Sequence, residues 1–364
     1  MKILLVQDRL RSGGTERQSV LLANAFAAAG HPFTLLTFRP GGALASTVAP
    51  SVTRIALQPF DTGLDWLAPG LARAVQRAQP DIVLCMGRMA NCYGGALQKR
   101  FPATAVVATL RTGKPLPRLF RQSLPRVRHI VANSREARDR LLARQRLPAA
   151  AVSVIHNALV FPPVSALARD DALRAAYQAG PDTTVMLCVA MFRPEKNQRE
   201  LIEIAAGLPP QSDWQLWLAG DGPARAACEA SVAAKNLGAR VKFPGFHRDP
   251  SPLYRAADIA VHASRSESLS NFLIEAQAHG LPAVAGDAQG IRECFVPERT
   301  GWAIAPGDRA AFRGALTRLM AEPQTARAVR AAEARAFART TFDPEHQVSA
   351  YLELFRTLVA PPAA

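Results

Sequence analysis

The sequence predicts an α/β chain of two domains, each a parallel sheet covered by helices on both faces. Three observations lead there. Short, continuously apolar runs alternate with amphipathic stretches, as strands buried on both faces alternate with the helices that cover them. The alternation stops at a proline-containing segment, Ala158–Ala168 with Pro162-Pro163, and then starts again. The chain has 364 residues, 49% of them apolar, which is long for one domain and sufficient to fill two cores.

In the first half, Ile3–Val6 reads as a buried strand. Thr15–Ala29 is amphipathic and meets Gly30, a residue suited to ending a helix. Phe33–Phe38 is a second strand. Leu71–Ala78 is helical, Asp81–Met86 a strand, Tyr93–Arg100 helical and Ala105–Leu110 a strand. His129–Ala132 is a short strand, Arg135–Arg146 a helix, and Val152–Ile155 a closing strand. In the second half the strands are Val185–Val189, Gln215–Ala219, Val241–Phe243, Ile259–His262 and Pro282–Ala285. The helices are Gln198–Ala206, Pro223–Lys235, Phe272–His279, Arg309–Met320 and Gln324–Thr340. This divides the chain into a Rossmann-like domain over 1–165, a second over 166–345, and a last helix, His346–Val359, within 346–364 that packs back on the first domain. Ligands of such sheets bind beyond the carboxyl ends of the strands, so the site is expected in the cleft between the domains.

Five cysteines at irregular spacing form no CxxC or Cys/His ligand pattern and read as thiols of a reducing cytosol. The apolar start, Met1–Val6, is too short for a signal peptide, and no stretch approaches the roughly 20 apolar residues that span a bilayer. The expected location is cytoplasmic, with peripheral attachment to the inner face of a membrane. That last expectation comes from charge. Through Ser165 there are 22 Lys+Arg against 7 Asp+Glu, which is the whole of the net +15, and from Ala166 onward 22 face 22. From Arg88 to Arg146 there are 14 basic residues against Glu136 and Asp139. Such a surface attracts anionic lipid headgroups or an anionic acceptor. Aromatic residues do not interleave with it as a nucleic-acid platform requires, so nucleic acid is not an expected partner.

The most informative stretch runs from Ser264 to Ala285, out of a strand and into a helix. Ser268 and Ser270 are natural N-caps, and the N–H groups near Leu269–Phe272 form a helix N-terminus suited to a phosphate. Glu267 lies in the loop before it and Glu275 about one turn inside. An anion-binding end between two carboxylates suits a nucleotide sugar: N–H groups for the diphosphate, carboxylates for sugar and ribose hydroxyls. A capped amphipathic helix with two surface glutamates is the plainer alternative. In Val189–Asn197, Lys196 lies just past a strand end, where an ammonium stabilises charge on a leaving diphosphate. Between the first strand and helix, Gly13 and Gly14 in Arg11-Ser-Gly-Gly-Thr-Glu-Arg17 let backbone approach a ligand. Full G-x-G-x-x-G spacing is absent, which argues against a dinucleotide oxidoreductase.

Glu267 and Glu275, followed by Ala276 and Gly280-Leu281-Pro282, resemble the E-x7-E signature of family 4 retaining glycosyltransferases, whose architecture is the GT-B fold. The resemblance implies that Glu267 contacts the donor sugar and Glu275 the nucleotide ribose. Lys196 falls on the family's Gly-Arg-x-x-x-x-Lys lysine. Met191 stands where that motif has arginine, and Arg193 is the nearby replacement, so the catalytic set is Glu267, Lys196 and Arg193. Ser268 stands where the family most often has glycine. Gly13 and Gly14 are similar to the family's loop beside the donor diphosphate. Gly220-Asp-Gly-Pro223 resembles its Gly-x-Gly-Pro turn, and Phe246 and His247 match the segment beside the base. Many relatives carry a histidine in the loop that reads Arg111-Thr-Gly-Lys114 here. Arg111 is a candidate for holding an anionic acceptor or a donor phosphate, and Asn91 and Lys114 join it on the acceptor side. The implied activity is transfer, with retention, of a sugar from a nucleoside-diphosphate sugar, UDP- or GDP-linked, to a glycan or lipid-linked acceptor of cell-surface polysaccharide or lipopolysaccharide synthesis. No permanently bound cofactor is implied, and no metal, because no Asp-x-Asp motif is present. A nucleotide-sugar epimerase and a non-catalytic sugar- or nucleotide-binding module remain the alternatives on the same fold.

Overall fold

The computed structural model describes residues 1–163 and 167–359. The linker and the domain boundary expected at 165/166 fall partly on residues outside these. The chain divides into two compact units: Met1–Ala158 together with the segment from Pro344, and Leu159–Asp343.

Unit 1 runs β1 (Ile3–Gln7), α1 (Gly14–Ala28), β2 (Phe33–Thr37), β3 (Thr53–Ala56), α2 (Leu71–Ala78), β4 (Ile82–Cys85), α3 (Arg88–Arg100), β5 (Ala105–Leu110), α4 (Arg118–Ser123), β6 (His129–Ala132), α5 (Arg135–Arg144) and β7 (Val152–Val154). Among the described residues it holds a seven-stranded sheet of order β3-β2-β1-β4-β5-β6-β7, all parallel. Side chains alternate between its two faces, which is why each strand is apolar throughout. Ile3, Leu5, Leu35 and Leu84 face one core with Phe26 of α1, while Leu4, Val6, Leu36 and Val83 face another with Leu71 and Val75 of α2.

Unit 2 runs α6 (Asp171–Ala176), β8 (Thr184–Val189), α7 (Gln198–Ala206), β9 (Trp214–Ala219), α8 (Arg225–Ala234), β10 (Val241–Gly245), α9 (Ser251–Ala256), β11 (Ile259–His262), α10 (Asn271–Ala278), β12 (Ala283–Gly286), β13 (Gly301–Ile304), α11 (Arg309–Met320) and α12 (Gln324–Thr341). Its described strands form a six-stranded parallel sheet of order β10-β9-β8-β11-β12-β13. Trp217, fully buried, packs with Val185, Leu187 and Tyr254 on one face; Leu216, Leu218 and Val261 pack with Leu201 and Phe312 on the other. The Leu159 N–H donates to the Phe342 carbonyl at 3.0 Å, so the two ends of this unit lie side by side.

The last helix, α13 (Pro344–Val359), belongs to unit 1. Tyr351 and Phe355 are fully buried there, against the Phe26 ring at 6.3 and 5.9 Å. Several elements differ from the sequence expectation. β3, α4, α6, α9 and β13 were not foreseen, and α3 begins at Arg88 rather than Tyr93. None of the five cysteines, all among the described residues, is in a disulfide.

Candidate active site

In each sheet the strand order reverses once, at β1/β4 in unit 1 and β8/β11 in unit 2. Loops leaving adjacent strands on opposite sides of such a reversal diverge and open a crevice at the carboxyl edge. In unit 2 those loops are 190–197 after β8 and 263–270 after β11. They carry the two stretches that the sequence marks out.

The loops are stitched together by backbone. The Arg265 N–H donates to the Glu195 carbonyl at 2.8 Å, and Ser264 Oγ–H to the same oxygen at 3.1 Å. Gln198, buried at the start of α7, donates Nε2–H to the Met191 carbonyl at 3.0 Å. The turn after β9 closes the other side: the Phe192 N–H donates to Asp221 O at 2.8 Å and the Ala224 N–H to Phe192 O at 3.0 Å. Gly220 has φ +134°, and a Cβ on it would lie 2.1 Å from the Ala190 carbonyl oxygen. Only glycine fits so close an approach.

At this crevice Lys196 Nζ lies 2.5 Å from Glu267 Oε1. The same oxygen is 2.8 Å from Nε2 of His262, the last residue of β11. Burial would raise the Glu267 carboxyl, but the Lys196 ammonium and the His262 hydrogen bond outweigh it and hold it down at about 2. The acid is therefore ionised at neutral pH. Immediately beyond, Ser270 caps α10 by accepting the Leu273 N–H. Leu269 and Phe272 have buried side chains that belong to the core, so they can offer a ligand only backbone. Glu275, one turn into α10, accepts the Tyr254 hydroxyl at 2.6 Å, and the Tyr254 ring stacks on His279 at 4.7 Å. An ammonium, a helix N-terminus and two oriented carboxylates can hold a diphosphate and accept hydroxyl hydrogen bonds.

The remaining expected residues are spread more widely. Arg193 begins the 3-10 turn Pro194–Lys196 and is exposed, as is Met191. Phe246 and His247 follow β10 at the sheet edge, Phe246 exposed and His247 half-buried. In unit 1, Gly13 is the N-cap of α1 and Gly14 its first residue. Asn91 is 1% exposed, donating to the Gly87 carbonyl and accepting the Thr109 N–H. It ties α3 to β5. Arg111 is drawn inward too, donating to Asn157 Oδ1 at 2.5 Å and to the Tyr351 hydroxyl at 2.9 Å. Lys114 is exposed in the loop after β5.

Sequence reasoning missed His262, Tyr254 and Gln198, and in unit 1 Asp8. Asp8 leaves the end of β1 at the β1/β4 reversal and accepts the N–H groups of Ala90 and Met89 at 2.8 and 3.0 Å, filling the N-terminus of α3 with a carboxylate. A polar residue closing an apolar strand was the available signal for both Asp8 and His262.

The chain thus has two Rossmann-like units, with a cation, a helix N-terminus and two glutamates at the strand reversal of the second. Residues 12–159 match the sequence model of Glycosyltransferase Family 4, and residues 170–336 that of Glycosyl transferases group 1. The chain belongs to this glycosyltransferase family. It is 30% identical over 149 residues to the lipopolysaccharide core biosynthesis glycosyltransferase LpsE of Rhizobium meliloti, covering 41% of this chain and 43% of that protein. It is 30% identical over 193 residues to the alpha-D-kanosaminyltransferase of Streptomyces kanamyceticus, covering 52% and 50%. The chain thus spans about half the length of the curated relatives it matches. Its fold is that of Anabaena Alr3699/HepE, solved in complex with UDP-glucose, at a TM-score of 0.83 and 23% identity, covering 98% of this chain and 100% of that one. The shared architecture is GT-B.

Proposed function

We propose that this protein is a retaining glycosyltransferase that moves a sugar from a nucleoside-diphosphate sugar to a glycan or lipid-linked acceptor in cell-surface polysaccharide or lipopolysaccharide synthesis. The observation that carries this reading is the Lys196–Glu267 pair, 2.5 Å apart at the strand reversal of unit 2 and beside the capped N-terminus of α10. Lys196, with Arg193 and the N–H groups of Asn271 and Phe272, stabilises the diphosphate. Glu267 orients the donor sugar and Glu275 the ribose. Gly13 and Gly14 belong to the donor loop by resemblance to the family, Phe246 and His247 flank the base, and unit 1 receives the acceptor. The bond between the anomeric carbon and the diphosphate oxygen breaks. The acceptor hydroxyl oxygen bonds to the same face of that carbon, and its proton passes to the departing phosphate. Charge growing on the leaving group meets the Lys196 ammonium and the α10 N-terminus, and such stabilisation is commonly the largest catalytic contribution.

A thermal-shift screen against UDP, GDP, ADP, TDP and CMP tests this. A ligand at a hundred times its Kd stabilises the folded state by about 2.7 kcal/mol. One nucleoside diphosphate should raise Tm, and Lys196→Ala and Glu275→Ala should abolish the rise. Nucleotide binding without turnover on any acceptor would favour a non-catalytic module, and no response to any of the five would remove the donor reading.

A further inference from the structure

His262 lies outside the two stretches that the sequence marks, yet it touches the site's central carboxylate. Its side chain is 1% exposed and its ring lies 5.6 Å from that of Phe272. An ionised carboxylate has no proton to give, so Nε2 is the donor to Glu267 Oε1. Nδ1 is buried without a partner among the described residues. Both contacts to Glu267, from Lys196 and His262, fall on Oε1; Oε2 takes no hydrogen bond from the described residues. The two partners are unequal in rigidity. Lys196 is a flexible stem on a 3-10 turn, 25% exposed, and a bound diphosphate gives its ammonium a second anion to turn toward. His262 is held by strand backbone and by packing, and it meets no such competitor.

We propose that His262 is a positioning residue: it pins Oε1 of Glu267 from the core side, so that Oε2 is presented to the donor sugar even when Lys196 turns to the diphosphate. This rests on the reading of Glu267 as the sugar contact. A phenylalanine fills much the same space without a donor, and a glutamine amide reaches about where Nε2 lies. Titration calorimetry of wild type, His262→Phe and His262→Gln with UDP and UDP-glucose, and with GDP and GDP-mannose, separates diphosphate from sugar contacts. Wild type should bind one sugar conjugate more tightly than its bare nucleotide. His262→Phe should bind the bare nucleotide within about twofold of wild type and the conjugate roughly tenfold more weakly, the scale of a lost hydrogen bond to a charged group. His262→Gln should recover most of the difference.

Retention of the full sugar increment by His262→Phe would overturn the proposal. An equal loss for nucleotide and conjugate would also overturn it, since the ring would then support the diphosphate loop. A wild type that binds a nucleotide but gains nothing from the sugar leaves no contact to position, and overturns it while the diphosphate site stands. Failure of wild type to bind either pair removes the donor reading and this inference with it.

Discussion

Glu267 and Asp8 are carboxylates near strand ends whose surroundings push them in opposite directions. Lys196 and His262 hold Glu267 at about 2 against its burial. Asp8 is pushed up to about 6, first by burial, with Asp65 and Glu16 adding to the rise and the N–H groups of Met89 and Ala90 opposing it. The linkage signs follow. A depressed acid stabilises above its unfolded pKa and loses that contribution as pH falls through the folded value, so Glu267 supports the fold above roughly pH 4.5 and ceases to near pH 2. A raised acid does the reverse, so Asp8 contributes fully below roughly pH 4 and nothing above pH 6. Glu267→Gln should lower Tm at pH 7 and flatten the loss between pH 4.5 and 2. Asp8→Asn should remove a decline in Tm between pH 4 and 6. Melting curves across pH on the three proteins check both, and unchanged profiles would contradict the assigned environments.

At the scale of elements, the loop bearing Lys196 is shaped by a glycine on a neighbouring turn. Gly220→Ala would drive a methyl into the Ala190 carbonyl and force a side chain into φ +134°, a strain of about 1–3 kcal/mol. Urea denaturation should show that loss, and the nucleotide-induced thermal shift should weaken with it. A full shift in the variant would mean that the loop does not depend on the turn. α13 is tied by packing instead: Phe355→Ala should cost about 3–5 kcal/mol, read by the same denaturation, although the residue lies far along the chain from its partner Phe26. Much at this scale was legible. Ala105–Leu110, Ile259–His262 and Gln198–Ala206 are apolar or amphipathic enough to be bounded by eye, and the observed bounds agree. β3 is an edge strand with a mostly exposed pattern, so it lacks the apolar run that reveals the others. α4, α6 and α9 have six residues each, too few to show a helical period. α3 starts five residues early because Asp8, 80 positions away, satisfies its first N–H groups, a signal no local window contains. The same distinction divides the site. Lys196, Glu267 and Glu275 stand out by their places after strand ends and by resemblance to the family motifs, while His262 and Tyr254 acquire meaning only once strands bring them to those carboxylates.

For the whole molecule, net positive charge concentrates on unit 1. Its basic excess is accompanied by exposed apolar side chains, Phe60 at 69%, Trp66 at 55% and Leu119 at 61%. No described helix is long and apolar enough to cross a membrane. A lipid-linked acceptor would place this unit against an anionic surface, where each basic residue adds about 1 kcal/mol of attraction and salt screens it. Co-sedimentation with phosphatidylglycerol vesicles at low salt should capture the protein, release it at high salt, and weaken when Trp66 and Leu119 become serine. No capture at low salt would count against the membrane-bound acceptor.

The placement of α13 also has a consequence for how the chain is made. Residues leave the ribosome in order, so unit 2 can complete its sheet and both of its cores while unit 1 still lacks the helix that covers Phe26. Until Tyr351 and Phe355 arrive, that apolar face of the nascent chain stays open to water and to chaperones. The half that is synthesised first therefore depends, for one face of its core, on a segment that follows the whole of unit 2.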